Sequence, residues 1–341
     1  MLEQVRENLF RIEIPLPRNP LKALNAYFLR GHDRNLLIDT GFNQEECRKA
    51  MDQAKEEIGF SMQDTDIFIT HCHSDHAGLA GYLAEPETRI FTGDYTAQGI
   101  SRQHDWFKNF DDLVRQGGLL DMGLTQDPAT HPGYRYRTGE INIDNITIVQ
   151  DGTIITVGGY NLKCILTTGH APDHICLYEK NHKILFSGDH ILGSITPNNT
   201  IWDIPWEIKI DYLDEYLKSL AKIETLDIEL TLPGHREILM DCYKRIQELR
   251  THHEKRLHNV LGIMGEKAMT AAQVASKIDW NLDVKNWEEF PVAQKIFATG
   301  EALSHLSHLV CKGVLSKELQ NGVVYYRENS GAATPLYCDK T

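Results

Sequence analysis

The chain has 341 residues, 41% of them apolar and 24% charged, with a formal net charge of −13. That length fits two domains better than one core. The composition belongs to a soluble globular chain, and no apolar run approaches the about 18 residues of a membrane span. The acidic balance weighs against a polyanionic partner, whose nonspecific affinity comes from neutralised phosphates.

Residues 1–6 lack the apolar core of a secretion signal. The seven cysteines lie at wide spacings with no C-x-x-C pair, which argues against a disulfide framework and for a reducing cytoplasm. Short strands open the chain: Leu9–Ile14 alternates, and 26–29 and 35–38 are apolar runs separated by the Gly31-His32-Asp33 turn. Asp39-Thr40-Gly41 closes the third run, and 44–58 carries a helical period. Residues 65–70 read as a buried strand, 77–83 as helix and 89–92 as strand. Residues 94–136, rich in glycine, aspartate and aromatics around a helical middle, break this rhythm. They read either as an insertion packing its own aromatics or as a lid over a cleft.

A second β-rich stretch follows at 141–149, 154–157, 162–167, 175–179 and 184–187, then an amphipathic helix at 211–223 and a strand at 228–232. From about 250 the pattern changes to helices at 252–264, 270–278 and 292–312, then a hairpin about Gln320-Asn321-Gly322. Asn-Gly is the strongest short-range hairpin signal, and three helices before a two-stranded wing is the order of a winged helix. The expected division is a catalytic domain over 1–249, a winged-helix-like α+β domain over 250–330 and a tail over 331–341.

The most informative segment is Thr70-His71-Cys72-His73-Ser74-Asp75-His76. Imidazole nitrogen and carboxylate oxygen are the ligands of first-row metals, zinc above all. They sit just past a buried strand, where open α/β sheets place their sites. A pH-sensitive histidine patch is the competing reading. Three further residues stand at apolar strand ends, each directly after a glycine: His170, Asp189 and His235. Any one of them alone is an ordinary turn residue. Together they share a placement that lets backbone approach closely and the side chain turn inward. Cys72 alternates away from its neighbours and reads as a packed thiol. His174 reads either as a structural hydrogen-bonding group or as a proton donor or substrate contact, and Asp173 carries the same two readings. His104, His252, His253, His305 and His308 lack strand-end context and read as non-ligands.

On these residues the chain resembles the metallo-β-lactamase superfamily over about residues 10–240: H-x-H-x-D-H is His71, His73, Asp75 and His76, followed by His170, Asp189 and His235. The resemblance implies an α/β fold, an αββα sandwich with the site at its rim. It assigns His71, His73 and His170 to one ion, Asp75, His76 and His235 to a second, and Asp189 to both. Asp39 matches the family's early aspartate, which supports metal ligands from behind. Two divalent ions about 3.5–4 Å apart, zinc first and iron or manganese by the same ligands, would share a hydroxide nucleophile. Asp75 would be both ligand and hydrogen-bond acceptor from that hydroxide.

Branches of the superfamily separate by departures. Flavodiiron proteins carry glutamate where His73 stands, zinc β-lactamases cysteine at Asp189, and acyl-homoserine lactonases tyrosine at Leu192. Glyoxalase II enzymes share the ligand set but have a different C-terminal region. The stretches 168–175 and 186–193 and the C-terminal segment are most similar to the β-lactamase-like protein 2 group. The resulting expectation is a cytoplasmic hydrolase of a small thioester or ester, acyl-CoA or glyoxalase II-like, with single-strand endoribonuclease activity as the alternative. Eleven basic against ten acidic residues from 250 onward give no basic footprint for RNA. A dimer contact or pocket wall is therefore the plainer reading of that segment.

Overall fold

Strand-forming sequence dominates Met1–Asp105, Gly133–Pro197 and Ser219–Ile246, which form the first of two compact units. The computed structural model describes residues 1–101, 106–124, 141–280 and 286–329, with 106–110 described by backbone alone. One sheet runs in sequence order through β1 (Leu2–Arg6), β2 (Leu9–Pro15), β3 (Ala23–Leu29), β4 (Asn35–Ile38), β5 (Thr65–Phe68), β6 (Ile90–Thr92) and β7 (Ile146–Ile148). Its first four strands form an antiparallel meander, and β4 through β7 are parallel. A second sheet has the order β12 (Leu230–Pro233), β11 (Ile184–Gly188), β10 (Ile175–Glu179), β9 (Tyr160–Leu166), β8 (Ile154–Val157). All its pairs are antiparallel except β11 with β12.

Side-chain alternation decides how these sheets meet. Leu9, Tyr27, Leu36 and Phe68 of the first sheet share one buried cluster with Leu162, Leu177, Phe186 and Leu232 of the second, so the sheets face each other. The opposite face of the first sheet packs Leu24, Phe28, Leu37 and Ile67 against helices. Cys47, Met51 and Ala54 come from α1 (Glu45–Ile58), whose apolar stripe recurs at helical spacing and whose chain turns off at Gly59, φ 75°. Ala77, Ala80 and Leu83 come from α2 (Ser74–Ala77) and α3 (Ala80–Leu83), two short turns where the sequence suggested one helix. On the outer side of the second sheet, Ser219 donates to Thr168 O at 2.9 Å. The layering is αββα, as the family resemblance implied.

The second unit comprises Trp106–Pro132, Asn198–Lys218 and Gln247–Thr341, so it is not the contiguous C-terminal piece expected from the sequence. Leu113, Val114 and Leu119 of the expected insertion, and Ile201, Tyr212 and Leu213, share its core with Leu257, Leu303, Leu306 and Tyr326. That is the physical reason for the difference: apolar residues far apart in sequence complete one core. The insertion carries α4 (Asp94–Ile100) in the first unit and α5 (Trp106–Gln116) in the second. The remaining helices are α6 (Tyr212–Glu224), α7 (Cys242–Met264), α8 (Ala271–Ala275) and α9 (Val292–Cys311). The last strands are β13 (Met269–Thr270), β14 (Leu315–Gln320) and β15 (Val323–Glu328), in sheet order β13-β15-β14. Thr270 and Gln273 form a reciprocal capping box on α8. His104 and the 331–341 tail lie outside the described residues. Among the described residues no helix is long and apolar enough to cross a membrane.

Candidate metal centre

Every residue singled out as a ligand lies past the carboxyl end of a strand in the first unit. After β5 the chain bends at His71 and Cys72, is extended at His73, φ −62° and ψ 142°, and then enters α2. His71 and His73 therefore come from the loop past the strand, while Asp75 and His76 return on a helical turn. His170 follows β9, Asp189 follows β11 and His235 follows β12.

The structure brings all seven together. His71, His73 and His170 form one group whose ligand atoms lie within 4.8 Å of one another; Asp75, His76 and His235 form another, and His71, His76 and Asp189 a third. Nδ1 of His73 is 3.0 Å from Nε2 of both His71 and His170. Asp189 spans the groups: Oδ1 lies 3.4 Å from His76 Nε2, and Oδ2 lies 3.7 Å from His170 Nε2 and 3.5 Å from His235 Nε2. Asp75 Oδ2 is 3.3 Å from His235 Nε2. Donors bound tetrahedrally at about 2.0–2.1 Å stand about 3.3 Å apart, so these separations match the edges of a coordination shell. His76 Nε2, His235 Nε2 and Asp189 Oδ1 are buried without a well-formed hydrogen bond, a costly state that a cation would relieve. The residues present fit metal ions.

The groups behind the ligands fix their orientation. Asp39 Oδ2 is 2.7 Å from His76 Nδ1, and Asp39 Oδ1 accepts from the Thr70 backbone N–H at 2.9 Å. The Thr70 hydroxyl is 3.0 Å from His71 Nδ1. His235 Nδ1 donates to Ala23 O at 2.7 Å. In each case the outer nitrogen is held and Nε2 faces the centre. Gly234 permits this crowding, because a Cβ there would stand 2.7 Å from Asp189 Oδ1 and 2.8 Å from His76 Cε1.

Electrostatics divides the centre. Burial, with help from neighbouring histidines, pushes the His71 imidazole far below its ordinary range and His73 down to about 3. Burial also acts on His76 and His235, yet Asp39, Asp189 and Asp75 outweigh it for His76, which lies well above its ordinary value. Asp189 and Asp75 likewise raise His235 to about 10. Against burial, His76 and His235 hold Asp75 down to about 2. Asp189 is held low against burial by His235 and then His76. One half is thus a set of neutral nitrogen donors, and the other carries buried carboxylates that need positive charge nearby.

His174 does not sit as a substrate contact. It is fully buried; its Nε2 accepts from the Asp189 backbone N–H at 3.0 Å, and its Nδ1 is 2.8 Å from the Thr167 hydroxyl. With both ring nitrogens engaged, its place is behind Asp189. Asp173 accepts from the Thr96 backbone N–H at 2.8 Å and from its hydroxyl at 2.7 Å, which caps α4. Cys72 is buried, and burial first, then Asp173, drives its thiol far above the ordinary range.

His252, His253, His305 and His308 lie in the second unit. His253 Nδ1 is 3.1 Å from His305 Nε2, inside a buried polar cluster with Asn199 and Glu301. His308 Nδ1 is 3.0 Å from Asp211 Oδ2. With Asp214 these two could hold an ion, but Lys312 and Lys218 already pair with Asp214, at 2.8 and 2.9 Å.

Sandwich and clustered donors together define a metallo-hydrolase. The chain belongs to the metallo-beta-lactamase superfamily, whose family model matches residues 21–235. Its relatives include a probable metallo-hydrolase, YqjP, of Bacillus subtilis (strain 168), 24% identical over 94% of this chain and 98% of that protein. A beta-lactamase-like protein 2 homolog of Caenorhabditis elegans is 25% identical over 81% of this chain and 78% of its own length. The acyl-coenzyme A thioesterase MBLAC2 of Homo sapiens is 27% identical over 62% and 72%. Among solved structures, a metallo-beta-lactamase family protein of Thermus thermophilus superposes with a TM-score of 0.79 at 24% identity, covering 96% of this chain and all of that one.

Proposed function

We propose that the chain is a dinuclear metal-dependent hydrolase of a small thioester or ester, with acyl-CoA as the leading substrate class. His71, His73 and His170 hold one ion, Asp75, His76 and His235 hold the other, and Asp189 serves both. Zinc suits this donor set first, and iron or manganese is accepted by it. The observation that carries the dinuclear reading is Asp189, one carboxylate within 3.7 Å of ring nitrogens from both histidine sets. The thioester reading is supported by the likeness to an acyl-coenzyme A thioesterase.

When bound, such ions polarise an acyl carbonyl and acidify water at neutral pH. The remaining work falls to the chain. Asp75 accepts the proton side of the attacking water. Asp39 and Thr70 keep His76 and His71 turned inward. His174 holds the Asp189 backbone in place, acting as a positioning residue and not as a proton donor. The element order of the C-terminal segment, three helices and then a β-hairpin joined by the short strand β13, supports reading it as winged-helix-like.

Metal analysis of the unstripped protein is expected to give close to two equivalents per chain, and less than one would overturn the metal reading. His71→Ala is expected to abolish turnover. In parallel assays of an acyl-CoA panel and a single-stranded RNA, acyl-CoA hydrolysis is the expected activity. RNA cleavage without thioester turnover would replace the substrate class.

A further inference from the structure

Strand β3, Ala-Leu-Asn-Ala-Tyr-Phe-Leu, carries a single amide in an apolar run, and Asn25 is 3% exposed. An amide buried without partners costs about 1–3 kcal/mol, so its partners explain its presence. Asn25 Nδ2 donates to Pro233 O at 3.0 Å and to Arg236 O at 2.9 Å, and its backbone N–H donates to Gly234 O at 2.7 Å. Tyr27, two residues on and so on the same face, donates its hydroxyl to Pro233 O at 2.8 Å. Between these contacts lies His235, whose Nδ1–H reaches back to Ala23 O at 2.7 Å.

The chemistry of these bonds permits one arrangement. Carbonyl oxygens only accept, so Asn25 must present its NH2 group and His235 must carry its proton on Nδ1. In its neutral form His235 would then offer its Nε2 lone pair to a metal ion on the side of Asp75 and Asp189. Arg236 sits at φ 68°, a left-handed conformation that a long side chain adopts only when its surroundings impose it. Its carbonyl is the one Asn25 holds.

We propose that Asn25 and Tyr27 are positioning residues that lock the 233–236 loop so that His235 holds its metal ion. This inference rests on the dinuclear reading above. The competing account, that the two side chains merely pin a strand end, predicts lower stability with no preference between the ions.

Two variants separate the accounts. Asn25→Asp is nearly isosteric but turns an acceptor toward two carbonyls. Tyr27→Phe removes only the hydroxyl and keeps the ring against Phe186, at 5.5 Å between centroids. Cobalt(II) is titrated into the chelator-stripped full chain, followed by calorimetry and visible absorption. NMR follows the cobalt-shifted exchangeable proton on His235 Nδ1. The wild type is expected to bind two equivalents in two steps. In each variant one step weakens by about 10- to 100-fold, the range for losing an outer-shell partner, the other step is unchanged, and the shifted proton is lost or moved. Unchanged affinity for both ions, or equal weakening of both steps, overturns the proposal and leaves the dinuclear reading standing. A wild type that binds fewer than two equivalents overturns both. If Asn25→Asp does not fold, Tyr27→Phe decides the matter alone.

Discussion

His174 and Asp66 show how differently two buried polar residues serve one unit. His174 Nε2 accepts the Asp189 backbone N–H and is shielded from solvent, so its loss should act through Asp189, the proposed metal ligand it steadies. His174→Ala is expected to lower metal affinity about 10- to 100-fold while leaving the pH–rate profile unchanged in shape. A vanished limb of that profile would restore the proton-donor role considered from sequence. Asp66 lies elsewhere in the sheet and answers to two guanidinium groups: Arg34 Nη2 lies at 2.8 Å and Arg89 Nε at 3.0 Å. Burial raises its carboxyl, but hydrogen bonds from Arg34 and Arg89 more than offset that and hold it below the ordinary value. A depressed carboxyl stabilises the fold above its unfolded value of about 3.9 and loses that contribution as pH falls through its folded value. Asp66→Asn is thus expected to cost about 1.5–3 kcal/mol at neutral pH, in denaturant titrations, with the gap to wild type closing below about pH 4. A gap constant from pH 7 to pH 3 would refute the ion-pair account. Sequence could not single out Asp66, since its partners lie 32 and 23 residues away.

At the scale of elements, each ligand depends on the loop that follows a strand, and each loop has its own brace. Asp173 is the clearest case, because its carboxylate satisfies the Thr96 N–H at the start of α4. Asp173→Ala is expected to destabilise the protein by about 1–2 kcal/mol, and Asp173→Asn by less, because an amide oxygen still accepts; thermal melts of the two compare them directly. Strand ends were legible in the sequence wherever a β-branched run met glycine or histidine, as at 65–70 and 228–235. Other boundaries were not. Residues 141–149 alternate like one strand, yet Asn142 accepts from the Asp144 N–H and folds 143–145 into a 3-10 turn, leaving only 146–148 in the sheet. The strand holding Asn25 was expected to begin at Ala26, because an amide weakens a β pattern read locally.

Across the whole molecule, the residues that cluster as donors were readable and the units were not. Ligand chemistry is local, but Leu113 and Leu119 join Leu303 and Tyr326 in one core through contacts that leave no periodic trace. Stripping metal should be felt globally. An ion at about 1,000 times its Kd contributes about 4 kcal/mol to the folded state. Chelation is therefore expected to lower the thermal midpoint by about 10 °C, reversibly on adding zinc, and an unmoved midpoint would contradict structural coupling of the site. The span of the Asn25–Pro233 bond, 208 residues, has a temporal consequence. As the chain leaves the ribosome, six of the seven clustered donors emerge before β12, and the carbonyls that Asn25 and Tyr27 hold arrive only with it. On the dinuclear reading proposed above, the second ion would gain its full donor set only after the last strand of the sandwich arrives. Metal loading would then mark completion of the fold, and a nascent chain stopped short of residue 230 would lack His235 alone among the donors.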